Sequence, residues 1–386
     1  MKCTFAYDGV LFYDSRGTWY GRDYSTLLKR YNTLSDDITF LMRTTFDDDA
    51  SKKMSQMPER INVQEVPNIL GLREYWLNRS NAEKIIEEQV SKTDFLIIRL
   101  PGMISRMALR LALKYKKPYI VEVVGCVWDS LTNHSIKGKL LAPYEFISTR
   151  KAIRNSQYVT YVTNEFLQRR YPTNGKCVGI SDVELTPIDK RQLDKKLEKY
   201  KGKINSIVIG TAGAIDVQYK GQEYVINAIA EIKRQCKLEV FYRIAGTGDS
   251  SRLHSIAEKN GVLDRVVFDG SIPHDKMNEW YDSLDIYIQP SSVEGMPRAL
   301  LEAMGRAVPC FGSKVGGIPE LLSSDSVFPI GDTKKIAMII ENLNGDYLYE
   351  KANECYQKSQ EFIPQVLERR RKDFYTEFLL DQGWRK

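Results

Sequence analysis

The sequence predicts an α/β protein with two domains, each built on a parallel β-sheet. Short runs of β-branched and aromatic residues alternate with helical patterns, which is typical of βαβ units. The chain has 386 residues, and a chain of that length usually needs more than one hydrophobic core. The alternation stops at a lysine-rich stretch, residues 189–203, and then begins again. We therefore expect a first domain at 1–186 and a second at 187–366.

Each half of the chain supplies its own strands and helices. In the first half, strands are expected at 4–6, 38–42, 95–99, 119–124 and 158–162, with a helix at 107–115. In the second half, strands are expected at 206–210, 240–245, 266–268 and 285–289. The lysine-rich stretch, which Pro187 opens, predicts a linker or a solvent-exposed helix, although its charge could also contact anionic lipid. Phe374 and Phe378 are one turn apart and predict an amphipathic helix at 367–384.

Composition and charge argue against several classes of protein. No run of about 18 or more apolar residues occurs, and the first residues lack the apolar core of a signal peptide, so we expect a cytoplasmic protein. Six cysteines without a C-x-x-C pair indicate reduced, mostly buried thiols rather than zinc ligands or a disulfide framework. The net charge of +6 comes without a basic stripe interleaved with aromatic residues, which argues against nucleic acid as a partner. Peripheral contact with an anionic membrane surface stays open.

The segment 285–297 predicts an anion-binding site. Residues 285–290 predict a buried parallel strand that ends at Pro290, and ligands bind at the carboxyl ends of such strands. Gly295 allows a ligand to approach the backbone closely, and Pro297 suits the first turn of a helix. The free backbone amides of that helix start favour an anion such as a diphosphate.

Two carboxylates, Glu294 and Glu302, lie on either side of this predicted helix start. Glu302 follows Arg298 by four residues, so both share one helical face, while Leu300 and Met304 can turn toward the sheet. Carboxylates accept hydrogen bonds from sugar and ribose hydroxyls. The segment therefore predicts a site for a hydroxyl-rich, phosphate-bearing ligand, with an ordinary amphipathic helix as the alternative.

The same residues carry a family resemblance. The run Pro290-Ser-Ser-x-Glu294-Gly-x-Pro-x-x-Leu-Leu-Glu302-Ala-Met, followed by Pro309 and by Gly316-Gly-Ile-Pro-Glu320, resembles the E-x7-E signature of the family-4 glycosyltransferases. Further matches extend over most of the carboxyl-terminal half, whereas the amino-terminal resemblance is much weaker. The resemblance implies GT-B architecture, in which two Rossmann-like domains face a cleft. It also implies that the carboxyl-terminal helix, 367–386, crosses back to the first domain.

The resemblance implies further donor contacts in the second half. Lys220 precedes a glycine, as does the family lysine that contacts the donor diphosphate, and a lysine there can offset the charge of a leaving diphosphate. Where the family usually has an arginine as well, this chain has Ala214 and Ile215. Gly246 lies in a strand-to-helix turn that is expected beside the nucleotide or is purely structural. The expected donor contacts of this half are Gly213, Lys220, Gly246, Ser271, Ile272, Glu294, Gly295, Met296, Pro297, Arg298 and Glu302.

The first half is expected to bind the acceptor and part of the donor. Gly17 occupies the place of a family glycine near the donor phosphates, with a plain hairpin or loop as the alternative. Arg99, at the end of a predicted strand, could meet an anionic acceptor or cap the sheet edge. Family members often place a histidine after the strand at 119–124. This chain has Asp129 there, which could contact a sugar hydroxyl or cap a helix, and His134 is the nearest histidine.

The resemblance implies a retaining glycosyltransferase that uses a nucleoside-diphosphate-sugar donor, a glycan or lipid-linked acceptor, and no cofactor or metal. Glu294, Lys220 and Asp129 are the expected catalytic residues, and synthesis of a cell-surface polysaccharide is the expected role. Three alternatives stay open. The departures from the family pattern favour a nucleotide-sugar-binding protein without turnover, and Gly246-Thr-Gly248 would suit an NAD-dependent oxidoreductase. A sugar-nucleotide epimerase of the same architecture is the third.

Overall fold

The chain divides into two compact units, Met1–Ile180 with Glu368–Lys386, and Ser181–Leu367. The computed structural model describes residues 1–384 except 22–24, 59–60, 135, 187, 202–205 and 236–237. For residues 25–26, 72, 133–134 and 136–137 it describes the backbone but not the side chain. Pro187, Cys236 and the His134 side chain therefore lie outside the described residues. The division falls after Ile180 rather than after Thr186, because Val183 and Leu185 are buried in the core of the second unit.

The first unit is an α/β layer structure. Its strands are β1 (Lys2–Tyr13), β2 (Trp19–Gly21), β3 (Asp37–Phe46), β4 (Ser55–Gln56), β5 (Asn62–Val66), β6 (Phe95–Leu100), β7 (Tyr119–Val123), β8 (Tyr158–Tyr161) and β9 (Lys176–Gly179). Its helices up to Ile180 are α1 (Ser25–Tyr31), α2 (Leu72–Lys92), α3 (Met103–Lys114), α4 (Val127–His134), α5 (Ile136–Arg154) and α6 (Phe166–Arg170). Parallel pairing runs in the order β5-β3-β1-β6-β7-β8-β9. The predicted strands and the helix at 107–115 are all present.

Strand β1 is longer than the sequence predicted. Its pairing with β3 shifts register between Ala6 and Val10, and the strand then continues to Tyr13 and pairs with β2 in antiparallel fashion. Gly17 lies in the connecting turn, where its N–H donates to the Asp14 carbonyl oxygen at 2.9 Å. Its φ of +75° is a backbone conformation that glycine adopts without strain. Gly17 therefore lies in the turn of a hairpin, and its predicted place near the donor phosphates stays a prediction.

The second unit is a doubly wound parallel sheet. Its strands are β10 (Ser206–Ala212), β11 (Glu239–Ala245), β12 (Val266–Gly270), β13 (Ile286–Gln289), β14 (Cys310–Ser313) and β15 (Val327–Phe328). They pair in the order β12-β11-β10-β13-β14-β15, and every pair is parallel. The helices that begin after Ile180 are α7 (Lys190–Glu198), α8 (Gln222–Gln235), α9 (Ser251–Lys259), α10 (Met277–Asp282), α11 (Arg298–Gly305), α12 (Ile318–Leu321), α13 (Thr333–Glu341), α14 (Gly345–Ser359) and α15 (Pro364–Asp381).

Two predicted helices outside the sheets are present as well. The lysine-rich stretch forms α7, which Asp189 caps with a capping box and which buries Leu193 and Leu197, so only part of it faces solvent. Helix α15 leaves the second unit and joins the first, as predicted. Its Phe374 and Phe378 are buried in the core of the first unit, where both rings contact Tyr158.

The described cysteines are free. Cys3, Cys126, Cys310 and Cys355 are buried, whereas Cys177 is exposed. None of the helices in the described part of the chain is long and apolar enough to cross a membrane.

Candidate functional site

The topology of the second unit creates a ligand site at one place. The strand order reverses between β10 and β13, because the chain adds β11 and β12 on one side of β10 and then adds β13 on the other. In doubly wound sheets, ligands bind outside the carboxyl ends of the strands at such a switch point. The loop after β10 carries Gly213 and Lys220, and the loop after β13 carries Glu294 and Gly295. Four of the predicted donor contacts thus lie on the two loops at the switch point.

Glu294 is the centre of a hydrogen-bonded cluster at this point. Its Oε1 lies 2.6 Å from Lys220 Nζ, and it accepts hydrogen bonds from Ser291 Oγ at 2.8 Å and Gln289 Nε2 at 3.0 Å. Within the described residues, no hydrogen bond reaches Oε2. One carboxylate oxygen is therefore fixed by the protein, and the other is available to a ligand hydroxyl.

A second layer of polar groups orients this cluster. Gln289 is buried, donates to Ser291 Oγ at 2.8 Å and accepts from Tyr287 OH at 2.8 Å. Burial raises the pKa of the Tyr287 hydroxyl well above its ordinary value, so the hydroxyl stays protonated and can donate. Because each group fixes the next, the Glu294 carboxylate is held in one orientation.

The backbone approaches itself so closely here that glycine is required at two positions. A Cβ on Gly246 would lie 1.8 Å from the Gly213 carbonyl oxygen. A Cβ on Gly316 would lie 2.0 Å from the Glu294 carbonyl oxygen. Gly213 in turn packs on the Lys220 side chain, where a Cβ would meet Cδ at 3.4 Å. The loops after β10 and β11 therefore pack directly on each other, as do the loops after β13 and β14.

Helix α11, which follows the loop after β13, carries Glu302, and this residue is half-buried. Pro297 is the N-cap residue, and the helix buries Leu300, Leu301 and Met304 against the sheet, as predicted. Glu302 Oε2 accepts a hydrogen bond from Tyr281 OH at 2.9 Å. Burial raises the pKa of Tyr281 far above its ordinary value, and the Glu302 charge adds to the shift. The tyrosine is therefore a permanent donor that positions Glu302.

The other predicted donor contacts differ in exposure. Ser271 is exposed and Ile272 is half-buried in the loop after β12, while Met296 is half-buried and Arg298 is exposed at the start of α11. Ala214 and Ile215 stand where the family usually has an arginine. Ala214 is half-buried, whereas Ile215 is buried and its N–H donates to the Thr247 carbonyl oxygen. Two apolar residues therefore fill that place.

Arg99 of the first unit lies in a buried polar cluster. Its Nη1 lies 3.0 Å from Glu122 Oε2, and Glu122 also accepts from Tyr31 OH at 2.6 Å and from Tyr375 OH at 3.3 Å. Burial and the Glu122 charge both raise the pKa values of the two tyrosines. Arg99 thus compensates a charge inside the unit, a role that the sequence did not predict, and its contact with an acceptor stays a prediction.

Asp129 is not the N-cap residue of its helix. Helix α4 begins at Val127, so Asp129 lies in its first turn. There its Oδ1 lies 3.1 Å from Arg170 Nη1, and the same nitrogen is 2.9 Å from Cys126 Sγ. An acidic residue in the first turn is favourable because of the helix dipole, and the predicted contact of Asp129 with a sugar hydroxyl stays a prediction.

Sequence reasoning missed Gln289, Ser291 and Tyr281 as parts of the site. A signal existed for Gln289, because a glutamine inside an otherwise apolar strand is a buried polar group that needs partners. Tyr281 is 21 positions from Glu302 on a separate helix, and nothing in the sequence pattern joins them. Over the described part of the chain, no group of three or more His, Cys, Asp or Glu side chains could hold a metal ion.

Comparison with known proteins agrees with this geometry. Residues 206–346 match the family described as glycosyl transferases group 1. Protein CapJ of Staphylococcus aureus is 31% identical over 316 residues, which are 81% of this chain and 78% of CapJ. WcaL of Escherichia coli, named as a putative colanic acid biosynthesis glycosyltransferase, is 29% identical over 164 residues, which are 39% of this chain and 40% of WcaL.

Among solved structures, HepE of Anabaena in complex with UDP has the same fold. It superposes with a TM-score of 0.67 over 98% of this chain and 100% of HepE, at 16% sequence identity. The likeness confirms the predicted GT-B fold with its two Rossmann-like domains.

Proposed function

This chain belongs to the group 1 glycosyltransferases, and we propose that it transfers a sugar, with retention of configuration, from a nucleoside-diphosphate-sugar to an acceptor hydroxyl. The observation that carries this proposal is the Lys220–Glu294 pair at the switch point of the second unit, next to the amino terminus of α11. A cation and free helix amides favour a diphosphate, and a carboxylate beside them favours sugar hydroxyls.

Each donor contact has a proposed task. As the bond between sugar and diphosphate loosens, Lys220 and the amides near Gly295 stabilise the negative charge that the leaving group gains. Oε2 of Glu294 accepts a hydrogen bond from a sugar hydroxyl and orients the ring. Glu302, which Tyr281 positions, accepts a hydrogen bond from the ribose.

The acceptor hydroxyl attacks from the face that the diphosphate leaves, and a departing phosphate oxygen takes its proton. This step needs neither a protein nucleophile nor a metal, because amides and a lysine meet the leaving charge. The spacing of Glu294 and Glu302 supports membership of the retaining family 4. Gly17, Arg99 and Asp129 of the first unit remain proposed contacts of donor and acceptor.

The names of related proteins support a role in polysaccharide synthesis. WcaL is named for colanic acid biosynthesis, and HepE was solved with UDP. We therefore propose that the chain acts in the cytoplasm, where it adds a sugar to a glycan or lipid-linked acceptor during the assembly of a cell-surface polysaccharide. UDP-sugars are the first donors to examine.

A nucleotide-sugar-binding protein without turnover is the second candidate. Ala214 and the buried Ile215, in place of the family arginine, remove one cation from the expected diphosphate site. That loss would weaken stabilisation of the leaving group more than it weakens binding.

A donor panel distinguishes the candidates. Thermal unfolding with UDP, GDP, ADP and NAD identifies the ligand, because a ligand that binds only the folded chain raises the melting temperature. Release of the nucleoside diphosphate from its sugar, with and without oligosaccharide acceptors, then measures turnover, and the proton NMR spectrum of the product gives the anomeric configuration. Binding without release supports the second candidate. A shift with NAD alone contradicts both, and an inverted product contradicts retention.

A further inference from the structure

Helix α5 of the first unit carries large apolar residues on its exposed face. Leu140, Tyr144 and Ile147 are 78%, 69% and 65% exposed, and their spacing places them on one stripe of the helix. The opposite face, which packs on the unit, carries Ala142, Thr149 and Ile153, with Phe146 against the Tyr171 ring. A helix of a soluble domain normally turns its large apolar residues inward. This helix turns a second set of large apolar residues outward as well.

The neighbouring helices extend the same surface. Tyr144 lines a groove of about 360 Å³ together with Tyr75 and Arg79 of α2 and Arg106 and Arg110 of α3. Trp76 and Leu77, which follow Tyr75 directly, are exposed, as is Leu113 at the end of the groove. We call the exposed large apolar residues of α2, α3 and α5 the α5 surface. Its members are Trp76, Leu77, Leu113, Leu140, Leu141, Tyr144 and Ile147.

Positive charges lie at both ends of the exposed stripe. Lys139 precedes it, and Arg150, Lys151 and Arg154 follow it, all of them exposed. The one acidic residue in the sequence of α5 is Glu145, and it forms an ion pair with Arg106 inside the groove. The surface therefore combines exposed aliphatic and aromatic side chains with a positive rim at both ends of the stripe.

We infer that the α5 surface binds an anionic phospholipid membrane. Apolar and aromatic residues on a convex helix, flanked by lysine and arginine, have the pattern of a helix that lies in a membrane interface. The apolar side chains would enter the headgroup boundary while the basic residues contact lipid phosphates. The charge complementarity favours anionic lipid over a second copy of this chain, because two copies would bring two positive rims together.

The lysine-rich helix α7 lacks this combination. Leu193 and Leu197 are buried within the second unit, and Lys196 is paired with Asp282. Its exposed lysines, Lys190 and Lys195, therefore face solvent, while the apolar residues Leu193 and Leu197 point into the unit. The sequence had suggested α7 as the place where lipid could be contacted, whereas the geometry points to α5.

Vesicle flotation tests the inference with the full chain. The wild-type protein is expected to float with vesicles of phosphatidylcholine and phosphatidylglycerol, to float weakly with phosphatidylcholine alone, and to be released by salt. Leu140→Ser combined with Ile147→Ser is expected to weaken binding by at least about tenfold, because two exposed side chains no longer enter the bilayer. Met338→Ser in the second unit, where Met338 is 52% exposed, is the matched control and should bind like the wild type.

Charge reversal provides a second, independent variant. Arg150→Glu with Lys151→Glu should remove the preference for phosphatidylglycerol, whereas Lys190→Glu with Lys195→Glu on α7 should preserve it. Unchanged thermal unfolding shows that each variant is folded. Equal flotation of wild type and the α5 variants overturns the inference. A second result would also overturn it. If the wild-type protein does not float but forms a dimer in light scattering, and if Leu140→Ser with Ile147→Ser abolishes that dimer, the α5 surface binds a second copy of the chain instead.

The functional consequence rests on the proposed transfer to a lipid-linked acceptor, since a membrane-bound enzyme would meet such an acceptor at the bilayer surface. Glu302→Gln separates the two ideas. That variant should lose the donor and still float with anionic vesicles, so failure of the donor assignment and failure of the membrane inference give different results.

Discussion

Lys220 and Glu294 form an ion pair across the switch point of the second unit, with Nζ and Oε1 2.6 Å apart. Lys220 ends a short helical turn after β10, and Glu294 lies in the loop after β13, so the fold brings together side chains that are 74 positions apart. The lysine side chain is 19% exposed and the glutamate side chain 10%. Each charge therefore depends on the other for compensation when no diphosphate is bound.

Loss of either charge is expected to reduce kcat strongly. Lys220→Met and Glu294→Gln should each lower kcat about 100- to 1000-fold, which is typical of removing one preorganised group from a transition-state site. Steady-state release of nucleoside diphosphate measures the loss. The matched control is Lys276→Met, because Lys276 forms an exposed pair with Glu279 in the same unit and should leave kcat unchanged. A fall in kcat below about threefold in Lys220→Met would remove this lysine from the mechanism.

The same pair predicts non-additive stability. Each single variant leaves the other charge largely buried and unpaired, so each should lower the free energy of unfolding by more than about 1 kcal/mol. The combined Lys220→Met and Glu294→Gln variant should be less destabilised than the sum of the two. Urea unfolding of the four proteins gives the coupling energy. Simple additivity would mean that solvent already screens the pair.

Glu302 is expected to recognise a ribose hydroxyl. Wild-type protein should bind the preferred ribonucleoside diphosphate about tenfold or more tightly than its 2′-deoxy analogue, because the carboxylate would lose a charged hydrogen bond. In Glu302→Ala the two ligands should bind equally weakly. Tyr281→Phe, which removes only the hydroxyl that positions Glu302, should give an intermediate result. Isothermal titration calorimetry measures all six affinities, and discrimination that survives in Glu302→Ala would assign the ribose to another residue.

Gly246 should tolerate no side chain. In Gly246→Ala the new methyl group would collide with the Gly213 carbonyl oxygen, and we expect a loss of about 3 kcal/mol in the free energy of unfolding. Gly261→Ala is the control, since its φ is +67° but nothing lies within 4 Å of the new Cβ. Strain alone should then cost about 1 kcal/mol. Equal losses in the two variants would show that the loops after β10 and β11 separate easily.

The sequence predicted the second unit well because its signals are local. The strand at 285–289, the glycine after it and the apolar spacing of α11 all lie within about one supersecondary unit, where periodicity and turn chemistry decide the structure. Glu294 and Glu302 could be placed for the same reason. Tyr281 could not, because only the packing of α10 on α11 brings its hydroxyl to Glu302.

The first unit was predicted less completely because its polar contacts are long-range. Glu122 lies inside the apolar strand β7, and the partners that justify its burial come from α1, β6 and α15. A buried acidic residue signals that partners exist but does not name them. From its position alone, Arg99 was expected to meet an anionic acceptor or to cap the sheet edge, and its pairing with Glu122 could not be foreseen.

The Arg99–Glu122 pair gives the last prediction. Arg99→Met should lower the free energy of unfolding by about 3 kcal/mol, because it leaves the buried Glu122 without a cation. Adding Glu122→Gln should restore part of that loss, since Tyr31 and Tyr375 can still donate to the amide oxygen. Lys92→Met is the control, because Lys92 forms an exposed pair with Glu88 in the same unit. Additive losses would contradict direct compensation. The KM for the acceptor gives a separate result. If Arg99→Met raises this KM and the more stable Arg99→Met, Glu122→Gln variant keeps it raised, Arg99 contacts the acceptor as well, since lost stability no longer explains the defect.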